Sequence, residues 1–147
     1  MKSTSTPMRS DFIEAARAYL GVPFRHQGRD GRGLDCLGLL VCAARDAGFP
    51  VSDNLNYRRE PDYDVMHAGI MDHFVTVARN VTEPGDVLWL RWRRNAYPMH
   101  LAIILANGFV LHADGNTAKK VIEQPMPGSW AERIVFALRW RGFVDVR

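Results

Sequence analysis

A change in hydrophobic period partway along the chain limits its fold more than any other feature. Up to about residue 79 apolar residues return every three or four positions. From Pro84 onward they fall in short β-branched or aromatic runs separated by Gly, Pro and Asn. Helices first and strands second predict an α+β domain with an antiparallel sheet. Phe12, Ala15, Ala16, Tyr19 and Leu20 predict a helix over 11–20, with Asp11 and Glu14 as a capping pair. Cys36, Leu39, Leu40, Ala43 and Ala47 mark a second helix that opens near Asp35 and is stopped by Gly48 and Pro50. Val65, Met66, Ile70, Met71, Phe74, Val75 and Ala78 predict a third over 62–79. Segment 25–33, rich in Gly and charge, is predicted as a loop, and strands are predicted over 87–92, 100–106, 109–113, 119–123 and 134–141.

A chain of 147 residues suits one domain, predicted over 11–147 behind a polar N-terminal arm at 1–10. With 47% hydrophobic and 24% charged residues it should bury an ordinary core. No apolar run reaches the eighteen or so residues of a membrane helix, so no membrane insertion is expected. The polar start lacks a signal-peptide h-region, so synthesis without export by a signal is expected. Sixteen of the nineteen basic residues are Arg, whose planar guanidinium suits anionic partners, and the net charge is +3. The two cysteines, Cys36 and Cys42, sit six apart on a predicted helix, where they turn roughly 240° away from each other. No disulfide is expected between them.

Chemistry concentrates in Gly33-Leu34-Asp35-Cys36-Leu37-Gly38. A thiol on the first turn of a helix meets unpaired N–H groups and the positive end of the dipole, so its pKa is expected to fall from about 8.5 toward ~4 to 7. Gly38 removes a side chain and allows close approach of another element or of substrate. A nucleophilic Cys needs a base, and His26, His67, His73, His100 and His112 are available. His67 and His73 fall on the third predicted helix and read as ordinary helix residues, whereas His26 lies in the glycine-rich loop just before Cys36. His100 opens one strand and His112 closes the next, joined around Ala106-Asn107-Gly108. A two-residue loop would set them on opposite faces. A three-residue loop with Gly108 left-handed pairs Leu105 with Phe109 and sets both histidines on one face as diagonal neighbours, close enough for the rings to hydrogen-bond.

The order Gly-Val-Pro-Phe, glycine-rich loop, Asp-Cys-x-Gly-Leu, Pro-Gly-Asp-Val-Leu, His-Leu-Ala-Ile-Ile and Leu-His-Ala resembles the NlpC-type cysteine peptidases of bacterial cell walls, over about residues 12–142. The resemblance implies a papain-like fold with N-terminal helices packed on a central antiparallel sheet. It also implies hydrolysis of peptidoglycan stem peptides, commonly after D-γ-glutamate, with Cys36 as nucleophile, His100 as base and His112 as the orienting third member. Asp35 matches an acidic residue that contacts a substrate amine in several members, and it also suits the N-cap of its own helix. Phe24 stands where many relatives have Tyr, and Leu37 where many have Ser. Phe24, His26, Arg29 and Asp35 are the candidate substrate-binding residues, with Arg25, Arg29 and Arg32 suited to carboxylates.

The stretch Phe24-Arg25-His26-Gln27-Gly28-Arg29 is further similar to the stand-alone members encoded with phage and gene-transfer-agent tails. That likeness implies a tail hub or tail-tip partner and delivery to the cell wall by the particle. The alternatives are a non-catalytic tail module of the same fold and a cytosolic peptidase that recycles wall peptides. No cofactor is implied. A zinc site built from Cys36, His100 and His112 competes for the same residues, but paired-ligand spacings such as H-E-x-x-H or C-x-x-C are missing. Arg91-Trp92-Arg93-Arg94 and Arg139-Trp140-Arg141 raise nucleic-acid stacking as a further possibility. Strand alternation, with Trp inward and Arg outward, accounts for them more simply, so no nucleic-acid partner is expected.

Overall fold

The computed structural model describes residues 8–53, 63–92 and 99–143. Helix α1 (Arg9–Arg17) starts before the predicted residue 11, inside the stretch read as the arm. Asp11 is not the cap: it lies one turn in, and its carboxylate accepts the N–H of Met8 at 2.9 Å. Segment 25–33, predicted as a loop, contains all but the last residue of a small antiparallel ribbon, β1 (Arg29–Asp30) with β2 (Gly33–Leu34). Helix α2 (Cys36–Asp46) follows Asp35 and buries every residue from Gly38 to Ala44.

The third helix departs from its prediction. Helix α3 (Tyr63–His73) stops where strand β3 (Phe74–Val77) begins. Phe74, Val75 and Val77 fit a strand as well as a helix over so short a run, and pairing with β8 (Ile134–Trp140) decides the matter. Phe74 then sits opposite Trp140, with ring centroids 4.1 Å apart.

The remaining strands are β4 (Val87–Leu90), β5 (His100–Ile104), β6 (Phe109–Asp114) and β7 (Lys120–Pro125). All pairings are antiparallel, in the order β3-β8-β4-β5-β6-β7. Both faces of the sheet are covered, so β4 is buried at all four positions instead of alternating with solvent. Val87, Trp89, Leu101, Ile103, Leu111 and Leu138 meet Phe12, Leu39, Leu40 and Ala43 from the helices on one face. On the other, Leu88, Leu90, Ala102, Val110 and Ala137 pack under Trp130.

A buried charge fastens α1 to the sheet. Asp86 is fully buried and accepts Arg9 Nη1 at 2.9 Å, Arg139 Nε at 3.0 Å and Arg139 Nη2 at 2.9 Å. Both cysteines are free thiols. Of the arginine–tryptophan runs, Trp140 is buried, Arg139 is bound to Asp86, and Arg141 Nη2 donates to the Met71 carbonyl, while Arg93 and Arg94 lie outside the described residues. Among the described residues, no helix is long and apolar enough to cross a membrane.

Candidate active site

Cys36 begins α2, and the helix is capped by the residue before it. Asp35 adopts an extended conformation, and its Oδ1 accepts the Gly38 N–H at 2.7 Å. Gly38 is needed for a separate reason: a Cβ there would lie 2.0 Å from the Gly28 carbonyl oxygen. Backbone therefore packs on backbone, and the 25–33 segment is seated against the first turn of the Cys36 helix. Gly28 is equally confined, since its Cβ would meet the Gly33 carbonyl at 2.2 Å.

The two histidines are brought together by a turn. Leu105 N–H donates to the Phe109 carbonyl at 2.8 Å, closing the three-residue connection Ala106–Gly108, with Ile103 opposite Leu111. Gly108 is left-handed at φ 77°, and Asn107 joins it at φ 61°. The resulting parity places His100 and His112 on one face, where His100 Nε2 and His112 Nδ1 lie 2.7 Å apart. Nitrogens bonded to each other in this way do not converge on a shared metal ion.

Aromatic rings enclose the pair. Trp92 stacks on His100 at 4.8 Å, and Trp130 meets His100 and His112 edge-on at 5.9 and 5.0 Å. Burial under these rings, then the neighbouring His112, pushes the His100 pKa down to about 3. Burial lowers His112 also, against the pull of Asp114. Both imidazoles are neutral near pH 7.

The thiol lies against the strand that carries His100. Cys36 Sγ donates to the carbonyl of Met99, the residue before His100, at 3.7 Å, and no hydrogen bond joins Sγ to the His100 ring. The expected low thiol pKa is overturned. Burial, followed by the charge of Asp35, pushes Cys36 up to about 12, against the opposing pull of the Leu101 and Leu37 N–H groups and of Arg29. The helix terminus acts in the anticipated direction and is outweighed by desolvation.

The candidate substrate residues divide. Phe24 packs its ring against Gly115, in the turn that follows the His112 strand, and its N–H donates to the Lys119 carbonyl at 2.8 Å. His26 is half-buried in the turn beside Gln27, whose N–H donates to Asp35 Oδ2 at 2.8 Å. Arg29 and Asp35 bind each other, Nη1 to Oδ1 at 3.1 Å, and both are largely buried; Arg25 and Arg32 are exposed. His67 stacks near Trp89 at 5.9 Å, and His73 Nε2 accepts the Ser52 N–H at 3.1 Å, so neither approaches the pair. An apolar cavity of about 470 Å³ between α2 and α3 includes Leu37 and Asp53 in its wall but none of Cys36, His100 and His112.

Sequence reasoning missed Trp92, Trp130, Asp53 and the Met99 carbonyl. Trp92 carried a signal, since it lies in an aromatic–basic run just ahead of His100. The contacts of Trp130 and Asp53 come from sequence-distant segments, and nothing local announces them.

The fold has many solved counterparts. An NlpC/P60 family protein from Bacillus cereus superposes with a TM-score of 0.72 at 20% identity, over 92% of this chain and 41% of that one. The P60 domain of an antigen from M. avium subspecies paratuberculosis gives 0.65 at 18%, over 94% and 96%. The peptidoglycan hydrolase RipB from Mycobacterium tuberculosis gives 0.63 at 21%, over 94% and 65%. The chain thus spans about two fifths of the first of these proteins and nearly all of the second. No curated protein matches it by sequence. The NlpC/P60 family model matches residues 21–139, a stretch that contains Cys36, His100 and His112, and the chain belongs to that family.

Proposed function

We propose that this protein is a peptidoglycan stem-peptide endopeptidase that uses Cys36 as nucleophile and cleaves after D-γ-glutamate. The observation that carries the reading is the placement of Cys36 Sγ against Met99 and Leu101, the residues flanking His100, while His100 is tied to His112 at 2.7 Å. Membership of the NlpC/P60 family supports it, as does the likeness to RipB, named as a peptidoglycan hydrolase.

The chemistry follows from the tautomers. For His100 to accept a proton at Nδ1, its Nε2–H must donate to His112 Nδ1, which leaves the remaining proton of His112 on Nε2. Substrate displaces the thiol from the Met99 carbonyl, and His100 Nδ1 takes its proton as Sγ attacks the scissile carbonyl. The N–H groups at the start of α2 face the oxyanion. Imidazolium then protonates the departing amine, and His100 next draws a proton from the water that hydrolyses the thioester. A resting neutral pair suits this order, since the charge separation forms only with substrate in place. We assign Phe24 and His26, on the 23–28 segment, to substrate contact, with the exposed Arg25 and Arg32 available for substrate carboxylates.

Delivery by a phage or gene-transfer-agent tail, with a tail hub or tail-tip protein as partner, completes the proposal. It rests on the Phe24-Arg25-His26-Gln27-Gly28-Arg29 stretch. Incubation of the purified protein with defined muropeptides, followed by mass spectrometry, should reveal a new amine after D-γ-glutamate that Cys36→Ala does not release. Silence on every wall preparation, with folded protein, would make a non-catalytic tail module the better reading. Proteomics of purified particles tests delivery, and absence of the chain from them removes it.

A further inference from the structure

Three side chains outside the cysteine and histidine trio join up beneath the nucleophile. Arg29, on β1, grips Asp53 along one edge, Nε to Oδ2 at 2.8 Å and Nη2 to Oδ1 at 3.1 Å. Its remaining nitrogen, Nη1, reaches Asp35 Oδ1 at 3.1 Å and the Gly28 carbonyl at 3.0 Å. Asp35 in turn receives the N–H groups of Gly38 and Gln27. The side chains are 13%, 6% and 10% exposed for Arg29, Asp35 and Asp53, so solvent screens the contacts weakly.

The geometry has a direction. A planar guanidinium gripped by a carboxylate through two parallel bonds cannot rotate, so its third nitrogen is delivered to a fixed point. Asp53 follows α2 in the chain, while Arg29 and Asp35 precede and cap it, so the clamp ties the segments before and after the helix to the turn that carries Cys36.

We propose that Asp53 and Arg29 are positioning residues of the nucleophile: Asp53 fixes Arg29, and Arg29 fixes and neutralises the Asp35 carboxylate that caps the Cys36 helix. The proposal rests on the reading of Cys36 as nucleophile. It assigns Arg29 to the thiol's own support, in place of the substrate carboxylate it was expected to bind.

A role in folding alone would leave the thiol's ionisation untouched, and this one does not. Asp35 and Arg29 act on Cys36 in opposite directions, the carboxylate disfavouring thiolate and the guanidinium favouring it. Among the described residues, the other charged or titratable groups around the site include Asp53 behind Arg29, His26 in the turn beside Gln27, His100 on β5, and His112 and Asp114 on β6.

The test is iodoacetamide alkylation of Cys36 across pH, resolved from Cys42 by peptide mapping, beside muropeptide kinetics and a thermal melt for each variant. Arg29→Met should move the Cys36 profile alkaline, lowering alkylation at pH 9 about tenfold for a shift of about one unit. Adding Asp35→Asn should return it toward the parent, because the unneutralised carboxylate is gone. Arg29→Lys, which keeps the charge without the fork, should fall between. Asp53→Asn should lower kcat several-fold with KM unchanged. An Arg29→Met profile superimposed on the parent's, in folded protein, overturns the proposal, as does failure of Asp35→Asn to restore it. Should Arg29→Met not fold, the Arg29→Lys profile decides in the same way. If the profiles move as stated while the parent cleaves no muropeptide, the hydrolase reading falls and the positioning role stands.

Discussion

His100 Nε2 and His112 Nδ1 meet at 2.7 Å because the three-residue turn Ala106–Gly108 sets both rings on one face of adjacent strands. One residue fewer in that turn would send the rings to opposite sides of the sheet. The pairing fixes which nitrogen of His100 remains for a proton.

Replacement of His112 should therefore be graded. His112→Asn keeps a hydrogen-bond acceptor for His100 Nε2–H and should retain measurable muropeptide hydrolysis, whereas His112→Ala should lose about tenfold more in kcat. Equal rates for the two variants would remove His112 from the orienting role.

The elevated thiol predicts slow, strongly pH-dependent alkylation. With Cys36 near 12, its rate constant should climb about tenfold per pH unit between pH 8 and pH 10. Cys42, buried with its Sγ on the Arg29 carbonyl at 3.1 Å, should react more slowly still. A plateau from pH 6 upward would mean a preformed thiolate–imidazolium pair.

Acid should destabilise the fold through the histidine pair. His100 is held near 3 in the folded protein and rises to about 6.5 on unfolding, so between these values the unfolded chain binds more protons. Stability is complete above about pH 6.5 and falls with decreasing pH, by at most about 1.4 kcal/mol per unit for this one group. Urea denaturation of the parent and of His100→Gln at pH 7 and pH 4.5 measures the term as a difference; parallel losses in both proteins would exclude it.

Gly38→Ala should cost about 1–3 kcal/mol and depress activity, because the new Cβ lands 2.0 Å from the Gly28 carbonyl and neither backbone yields cheaply. A melting temperature equal to the parent's would show that the 25–33 segment is not seated as described.

Asp86→Ala removes the buried carboxylate that Arg9 and Arg139 share and leaves them the exposed Glu83, so it should destabilise by about 2–3 kcal/mol, less than when a fully buried charge is left unpaired. Denaturant titration gives the value; a loss below about 1 kcal/mol would place the charges in solvent.

Features governed by neighbours in sequence were legible before the structure. Asp35 and Gly48 bracket α2 as expected, and Asn107-Gly108 gives the turn that aligns the histidines. Features governed by distant partners were not. Residues 74–77 read as helix until β8, some sixty positions later, pairs with them. Cys36 shows the same division: the helix terminus promised a low pKa, and burial, which depends on how the strand at Met99 and Leu101 packs over it, reversed the sign.

The sheet order has a kinetic side. Among the described strands β8 comes last in sequence, yet it lies between β3 and β4, its Leu138 facing Val87 and Thr76. Until it arrives, β3 has no partner and one edge of β4 is bare, so Val87 and Trp89 cannot be sealed from water. Strands β5 and β6 can pair earlier through their local turn, but the helices have no finished surface on which to settle Cys36. The order of the strands thus makes the surface against which Cys36 packs depend on a pairing between segments some fifty to sixty residues apart, a non-local step expected to form late in folding.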